Sequence, residues 1–187
     1  MTEREKMLAG EPYNPGDPEL VRLRLEMRQI CLAYNNLPPE DEAGHDRLRV
    51  RMLGGHKQFA FMEPPVWFDY GVNITVGEHF YANFGLTVLD SAPVTIGDNV
   101  QIGPNVGIYT ATHPLDPAAR ASGIEFGKSV RIGSNVWIGG HAVINPGVTI
   151  GDNTVIGSGS VVTKEIPAGV LAAGNPCRVI RRIVERL

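Results

Sequence analysis

Cysteine is almost missing from this 187-residue chain: Cys31 and Cys177 are the only two. A pair in ordinary apolar contexts supplies neither a disulfide framework nor a cysteine-rich zinc site, so both read as small buried hydrophobes. Long apolar runs are lacking too, since none approaches the ~20 residues of a membrane span. Met1 to Lys6 is charged and has no apolar h-region, so a cytoplasmic protein without a membrane partner is expected. Nor is there a positive excess. Lys plus Arg number 17 against 20 for Asp plus Glu, and a net charge of −3 gives no general attraction for nucleic acid. What remains is ordinary soluble composition, 43% hydrophobic and 20% charged, which excludes a disordered or fibrous chain. The surpluses are glycine, with 22 residues, and proline, with 14, which imply many tight turns. The length fits one domain with a modest accessory segment.

From 17 to about 35 the apolar residues Leu20, Leu23, Met27, Ile30, Cys31 and Tyr34 recur at three- or four-residue spacing, the stripe of an amphipathic helix. Asp17 can cap it, and Pro18 suits the first position because its missing amide would have no partner there. Leu37-Pro38-Pro39 ends it. A shorter helical stretch over about 40–53 runs through Gly54-Gly55 toward Glu63-Pro64-Pro65.

Beyond Val66 the period changes to six. Ile132, Ile138, Ile144, Ile150, Ile156 and Val162 stand on one arithmetic ladder, as do Ile96, Ile102 and Ile108, and glycine follows six of these nine. The fifth place of each hexad holds Val100, Val106, Thr112, Val136, Ala142, Val148, Thr154 and Ser160, all small or β-branched, and is expected to point inward as well. Neither the 3.6-residue period of an α-helix nor the alternation of a hairpin reproduces this pattern. A period of six fits coils with three flat faces, each a short strand, and corners where Gly or Asn accepts a positive φ. Stacked coils make a parallel β-helix. Hexads through Val76, Ala82 and Val88 stand out of register with Ile96, which predicts an insertion near Ala92-Pro93. The stretch 109–129 is too polar and too rich in proline to continue as coil, and such excursions commonly carry function. Its most reactive member is His113, whose neutral imidazole can accept a proton near neutral pH.

Ile132 to Gly140 and Ile144 to Asn153 resemble the hexapeptide-repeat acyltransferases. Tyr81-Ala82-Asn83-Phe84, Thr110-Ala111-Thr112-His113-Pro114 and Ala173-Gly174-Asn175-Pro176-Cys177-Arg178 resemble the maltose and galactoside O-acetyltransferases among them, and Met7-Leu8-Ala9-Gly10-Glu11-Pro12-Tyr13 is similar to that group's helical cap. The likeness covers nearly the whole chain. It implies a mainly β fold: a left-handed parallel β-helix over 61–168 with a loop at about 109–129, a helical cap over 1–60 and a short strand or helix tail over 169–187. It also implies an acetyl-CoA dependent O-acetyltransferase acting on maltose, glucose or a related sugar, as a homotrimer with sites between subunits.

On this resemblance His113 is the general base that takes the proton of a sugar hydroxyl as it attacks the thioester. Its tautomer needs holding by a carboxylate or a carbonyl, and Glu125 at the loop's far end is the first candidate. Asn83 would orient the acceptor hydroxyl or the thioester carbonyl. The Gly140 amide would meet the oxyanion, at a position that is serine in the galactoside enzymes. Asp69, in an Asp-Tyr-Gly like that of the maltose branch, would contact the acceptor with Tyr81 and Asp90, since a carboxylate can take two hydroxyls. The family's acceptor-binding acid of the cap falls on Pro15, leaving Asp17 as a helix cap. Thr163, Lys164, Arg178 and Arg181 would hold the coenzyme A phosphates, with Trp137 and Ser158 lining the same groove.

No metal is expected. Zinc carbonic anhydrases of the γ type share the fold but need three histidines, two of them five residues apart, and His45, His56, His79, His113 and His141 contain no such pair. A noncatalytic scaffold would leave the Thr-His-Pro loop unexplained. A galactoside, or an amine such as an amino sugar, stays open as the acceptor.

Overall fold

A computed structural model describes residues 1–55 and 59–184, so His56 lies outside the described residues. The cap holds three helices, α1 (Glu3–Ala9), α2 (Pro18–Asn35) and α3 (Glu42–Met52). At α2 the Asp17 carboxylate accepts from the Glu19 amide at 2.9 Å and Pro18 stands at the first position. The apolar stripe turns inward as its spacing demands: Leu20, Met27, Cys31 and Tyr34 are buried, and Leu23 and Ile30 pack partly buried beside them. α1 is too short to display a stripe and announces itself instead by a capping box, Thr2 with Glu5.

Among the described residues, fifteen short strands then wind into three parallel faces. The first face carries β1 (Phe61–Met62), β4 (Tyr81–Ala82), β7 (Gln101–Ile102), β12 (Trp137–Ile138), β15 (Val155–Ile156) and β17 (Val170–Ala173). The second carries β2 (Trp67–Phe68), β5 (Thr87–Leu89), β8 (Gly107–Tyr109), β13 (Val143–Ile144) and β16 (Val161–Val162). The third carries β3 (Ile74–Val76), β6 (Val94–Ile96), β11 (Val130–Ile132) and β14 (Thr149–Ile150). Because β17 still pairs in parallel with β15, the coil runs past 168, and the tail is strand: β18 (Arg178–Arg182) folds back antiparallel on β17, with no helix among its described residues.

Inward residues stack in rows, for example Ile102 on Ile138 on Ile156, all at most 1% exposed. Val76 pairs with Ile96 whereas Ile132 pairs with Ile150, so the early coils are two residues longer, as the register break predicts. Thr112 departs from the inward series. It lies in an antiparallel hairpin of β9 (Ala111–Thr112) and β10 (Phe126–Gly127) that leaves the coil and encloses the short helix α4 (Pro117–Ala121). Thr110 takes the inward place instead, its buried hydroxyl donating to the Leu89 carbonyl at 2.7 Å and accepting from the Ala92 amide at 2.8 Å.

The corners use both of the residue types expected. Positive φ falls on asparagine at Asn99 (56°), Asn135 (57°) and Asn153 (56°), whose amides form a ladder with 3.0 Å links along the solenoid, and on glycine at Gly85 (80°), Gly147 (82°) and Gly159 (69°). Glycines that follow the inward isoleucines keep negative φ and are needed for closeness: a Cβ on Gly139 would stand 2.5 Å from the Ser158 amide of the next coil. Outward rows differ by face. The first presents Phe61, Tyr81, Gln101, Trp137 and Val155, and the second presents Trp67, Thr87, Val143 and Val161. The third presents Thr75, Thr95, Arg131 and Thr149. Two faces of the prism are thus largely apolar and one is polar. Among the described residues no helix is long and apolar enough to cross a membrane.

Candidate functional site

The hairpin excursion leaves the corner between the second and third faces and returns to the cap. There Tyr13 and Glu125 form a two-way backbone bridge, amide to carbonyl at 2.9 and 3.1 Å, and the Tyr13 hydroxyl donates to Glu125 Oε2 at 2.9 Å. The other carboxylate oxygen, Oε1, faces His113 Nε2 at 3.9 Å. That is charge-pair range, longer than a hydrogen bond. His113 is half exposed, and Glu125 less so. Glu125 thus stands within charge-pair reach of His113, and its contacts with Tyr13 of the cap hold it there.

Glu125 also walls a cleft of about 220 Å³. The cap contributes Tyr13, Pro15, Arg24 and Arg28; the coil contributes Asp69, Tyr70 and Ser91. Burial pushes the Asp69 carboxyl up, and Arg24 and Arg28 oppose the shift. Arg24 is itself held, donating to the Tyr70 hydroxyl at 2.5 Å and to the Pro15 carbonyl at 2.6 Å. Pro15 thus lines the cleft as the cap match implies, but through its carbonyl and with a cation beside it.

Asp90 does not reach this cleft. It is fully buried, its oxygens accepting from the Tyr70 amide at 2.8 Å and the Asn73 amide at 3.3 Å, so its task is to brace the turn that presents Asp69 and Tyr70. Burial pushes its carboxyl up to about 7 against those amide bonds.

The remaining candidates lie elsewhere on the prism. Tyr81 and Trp137 stand in one outward row of the first face, with Tyr81 stacked on Phe61 at 6.1 Å between ring centres. Asn83, Gly140 and Ser158 follow that face at the corner leading to the second, after β4, β12 and β15, with the coil of β7 between the first two. The Asn83 side-chain oxygen accepts from the Phe84 amide at 2.8 Å. Arg178 and Arg181 lie on β18, opposite Ala173 and Leu171 at the edge of the first face. Thr163 and Lys164 are exposed just past β16, on the same corner column as Asp69 and the root of the His113 loop. Among the described residues no carboxylate pairs with Lys164, Arg178 or Arg181; Arg178 Nη1 donates to the Cys177 carbonyl at 2.8 Å and Arg181 Nη1 to the Arg182 carbonyl at 3.2 Å.

One chain therefore separates its candidates into two columns. His113, Glu125, Asp69, Thr163 and Lys164 belong to the corner after the second face, while Asn83, Gly140, Ser158 and Trp137 belong to the first face and the corner after it. The second face lies between, roughly 10 Å wide for a three-residue strand.

Four cleft residues, Tyr13, Arg24, Arg28 and Ser91, escape the sequence reading. Arg24 and Arg28 stand one turn apart beside the apolar stripe of α2, a local signal that could have marked them. Tyr13 closes the cap motif from Met7 but nothing local marks its contact with Glu125, and Ser91 carries no signal. Among the described residues no three His, Cys, Asp or Glu side chains gather as a metal site would require.

The model of the maltose acetyltransferase hexapeptide capping motif matches residues 6–57, that of the bacterial transferase hexapeptide (six repeats) matches 129–164, and that of the hexapeptide repeat of succinyl-transferase matches 93–112. Galactoside O-acetyltransferase of Escherichia coli (strain K12) is 46% identical over 186 residues, covering 100% of this chain and 92% of its own. The crystal structure of a maltose O-acetyltransferase from Clostridium difficile 630 superposes with a TM-score of 0.95 at 48% identity over 99% of both chains. A galactoside acetyltransferase solved in complex with coenzyme A gives 0.95 at 46% identity, over 98% of this chain and 92% of that one. The fold is accordingly the left-handed parallel β-helix that the hexads imply. With capping motif, repeats and near-complete coverage in agreement, the chain belongs to the maltose/galactoside O-acetyltransferase family of hexapeptide-repeat acetyltransferases.

Proposed function

We propose that the chain transfers the acetyl group of acetyl-CoA to a hydroxyl of maltose, glucose or a related sugar, in the cytoplasm, as a homotrimer whose sites lie between copies. The observation that carries this reading is His113 poised against Glu125 at the edge of a cleft mixing carboxylate, guanidinium and hydroxyl groups. Such a lining suits a polyol, whose hydroxyls both donate and accept. His113 accepts the proton of the acceptor hydroxyl as that oxygen bonds to the thioester carbon. The tetrahedral intermediate then expels the thiolate with cleavage of the carbon–sulfur bond, and the imidazolium returns its proton to sulfur. Glu125, braced by the Tyr13 hydroxyl, stabilises the imidazolium formed midway.

Asn83 and the Gly140 amide of a neighbouring copy orient the carbonyl and meet the oxyanion. The pantetheine arm runs past Trp137 and Ser158, and Thr163, Lys164, Arg178 and Arg181 take the phosphates. Two arguments support the shared site: the columns one face apart, and two apolar outward faces beside a polar one, which suits packing the first face of each copy against the second face of the next. The relatives that act on maltose and bind coenzyme A support the substrates.

The test is an acceptor panel with acetyl-CoA and detection of free thiol. Release that requires maltose or glucose and yields an ester is expected. Release with amino sugars alone would move the acceptor to an amine, and none with any acceptor overturns the reading.

A further inference from the structure

The excursion presents Leu115 in a way that its own chain does not use. The side chain is 95% exposed. Its backbone is nevertheless fixed, because Arg120 Nη1 donates to the carbonyls of Pro114 at 3.1 Å and Leu115 at 3.0 Å, and Asp116 caps α4 through the Ala119 amide at 2.8 Å. An immobilised leucine held in water brings folding no benefit, and it has the character of a contact surface. A matching concavity lies near the other column. Between α3 and the start of the β-helix opens a groove of about 640 Å³, walled on its apolar side by Pro39, Phe61, Met62, Pro64 and Phe84. Phe61 and Phe84 are 46% and 52% exposed there.

We infer that Leu115 of one copy inserts into this groove on its neighbour, beside Phe84, and latches the His113 loop over the shared site. The inference rests on the proposal that His113 and Asn83 meet across the interface. Leu115 follows His113 by two residues, which span at most about 7 Å, and Phe84 is the residue next to Asn83. Bringing His113 to the neighbour's Asn83 therefore carries Leu115 to the mouth of the groove. Although Arg49 Nη1 and His45 Nε2 find no hydrogen-bond partner among the described residues, the lining favours an uncharged apolar knob over a small anion: Arg49, which lies over Phe61 at 5.5 Å, is paired through Nη2 with Asp46, and the carboxylates Glu42 and Glu63 also line the groove. Leu115 is thus a positioning residue, acting through the loop that holds the base.

A double variant, Leu115→Cys with Phe84→Cys, tests the contact, since the native Cys31 and Cys177 are buried. Under mild oxidation it should run on a non-reducing gel at two and three times the 20.3 kDa chain mass, while each single variant stays at one. In parallel, Leu115→Ser should lower kcat by about tenfold to a hundredfold, the scale expected of a misplaced base, with the acetyl-CoA KM little changed. Leu115→Ile should restore it. An active trimer that fails to cross-link, or an unchanged kcat in Leu115→Ser, overturns the docking and leaves the groove to a small apolar molecule. A monomeric wild type overturns the docking and the shared site together, whereas a trimer that cross-links but releases no thiol with any acceptor sinks only the proposed activity.

Discussion

At Asp90, burial and hydrogen bonding pull in opposite directions. Burial pushes the carboxyl up to about 7, while the Tyr70 and Asn73 amides favour its charged form. A folded value above the ~3.9 of an unfolded aspartate means that the native state holds an extra proton between about pH 4 and 7. The stability this group lends is present below that window and is lost as pH rises through it. Asp90→Ala removes the slope and orphans two amides, at a cost of about 1–3 kcal/mol. Denaturant unfolding at pH 5 and pH 8 checks this, and the gap between wild type and variant should be wider at pH 5. Equal gaps would mean a carboxylate charged throughout. At His113, replacement by Ala should lower kcat about a hundredfold to ten-thousandfold with acetyl-CoA binding retained. Tyr13→Phe, which removes only the brace on Glu125, should cost nearer fivefold, the equivalent of one hydrogen bond of about 1 kcal/mol. Steady-state kinetics on both variants decides, and a Tyr13→Phe loss as large as that of His113→Ala would make Tyr13 more than a brace.

The coils repeat one local conformation, and for that reason their elements were legible: each hexad specifies its own strand and corner, so period six fixed the inward rows without long-range information. Thr112 escaped because the ladder arithmetic ran straight through a hairpin that had left the coil. Of the cleft, Asp69 was legible through the Asp-Tyr-Gly match, Pro15 through the cap match, and Glu125 as the acid that ends the His113 loop. Tyr13 meets Glu125, 112 positions along the chain, and Ser91 joins the same cleft by folding, and no local pattern encodes such a meeting. The Asn99–Asn135–Asn153 ladder makes the corner argument measurable. Asn135→Gly keeps the φ of 57° accessible and loses the amide links, whereas Asn135→Ala loses the links and adds left-handed strain of about 1–2 kcal/mol. Thermal unfolding at one fixed protein concentration should therefore rank wild type above Gly and Gly above Ala. The reverse order of the two variants would show that strain at the corner is negligible.

In the whole molecule, the separation of His113 from Asn83 by a full face of the prism has a consequence for mixtures. If each site takes its base from one copy and its amide from the next, His113→Ala and Asn83→Ala trimers are each inactive for different reasons. A chain carrying His113→Ala still offers an intact Asn83, and the converse holds for the other variant. Unfolding the two together in equal amounts and refolding them mixes copies at random. At each interface the amide side then comes from a His113→Ala chain half the time, and the base side from an Asn83→Ala chain half the time. About one quarter of the sites become complete, so the mixture should recover about one quarter of wild-type activity. A site built within one chain predicts no recovery, because no single polypeptide in the mixture holds both groups. The two readings differ by more than the error of any thiol-release assay, and a refolded wild-type control measures the yield against which the fraction is taken. Recovery near zero with trimers of normal mass would place base and amide in the same chain and remove the ground for a shared site.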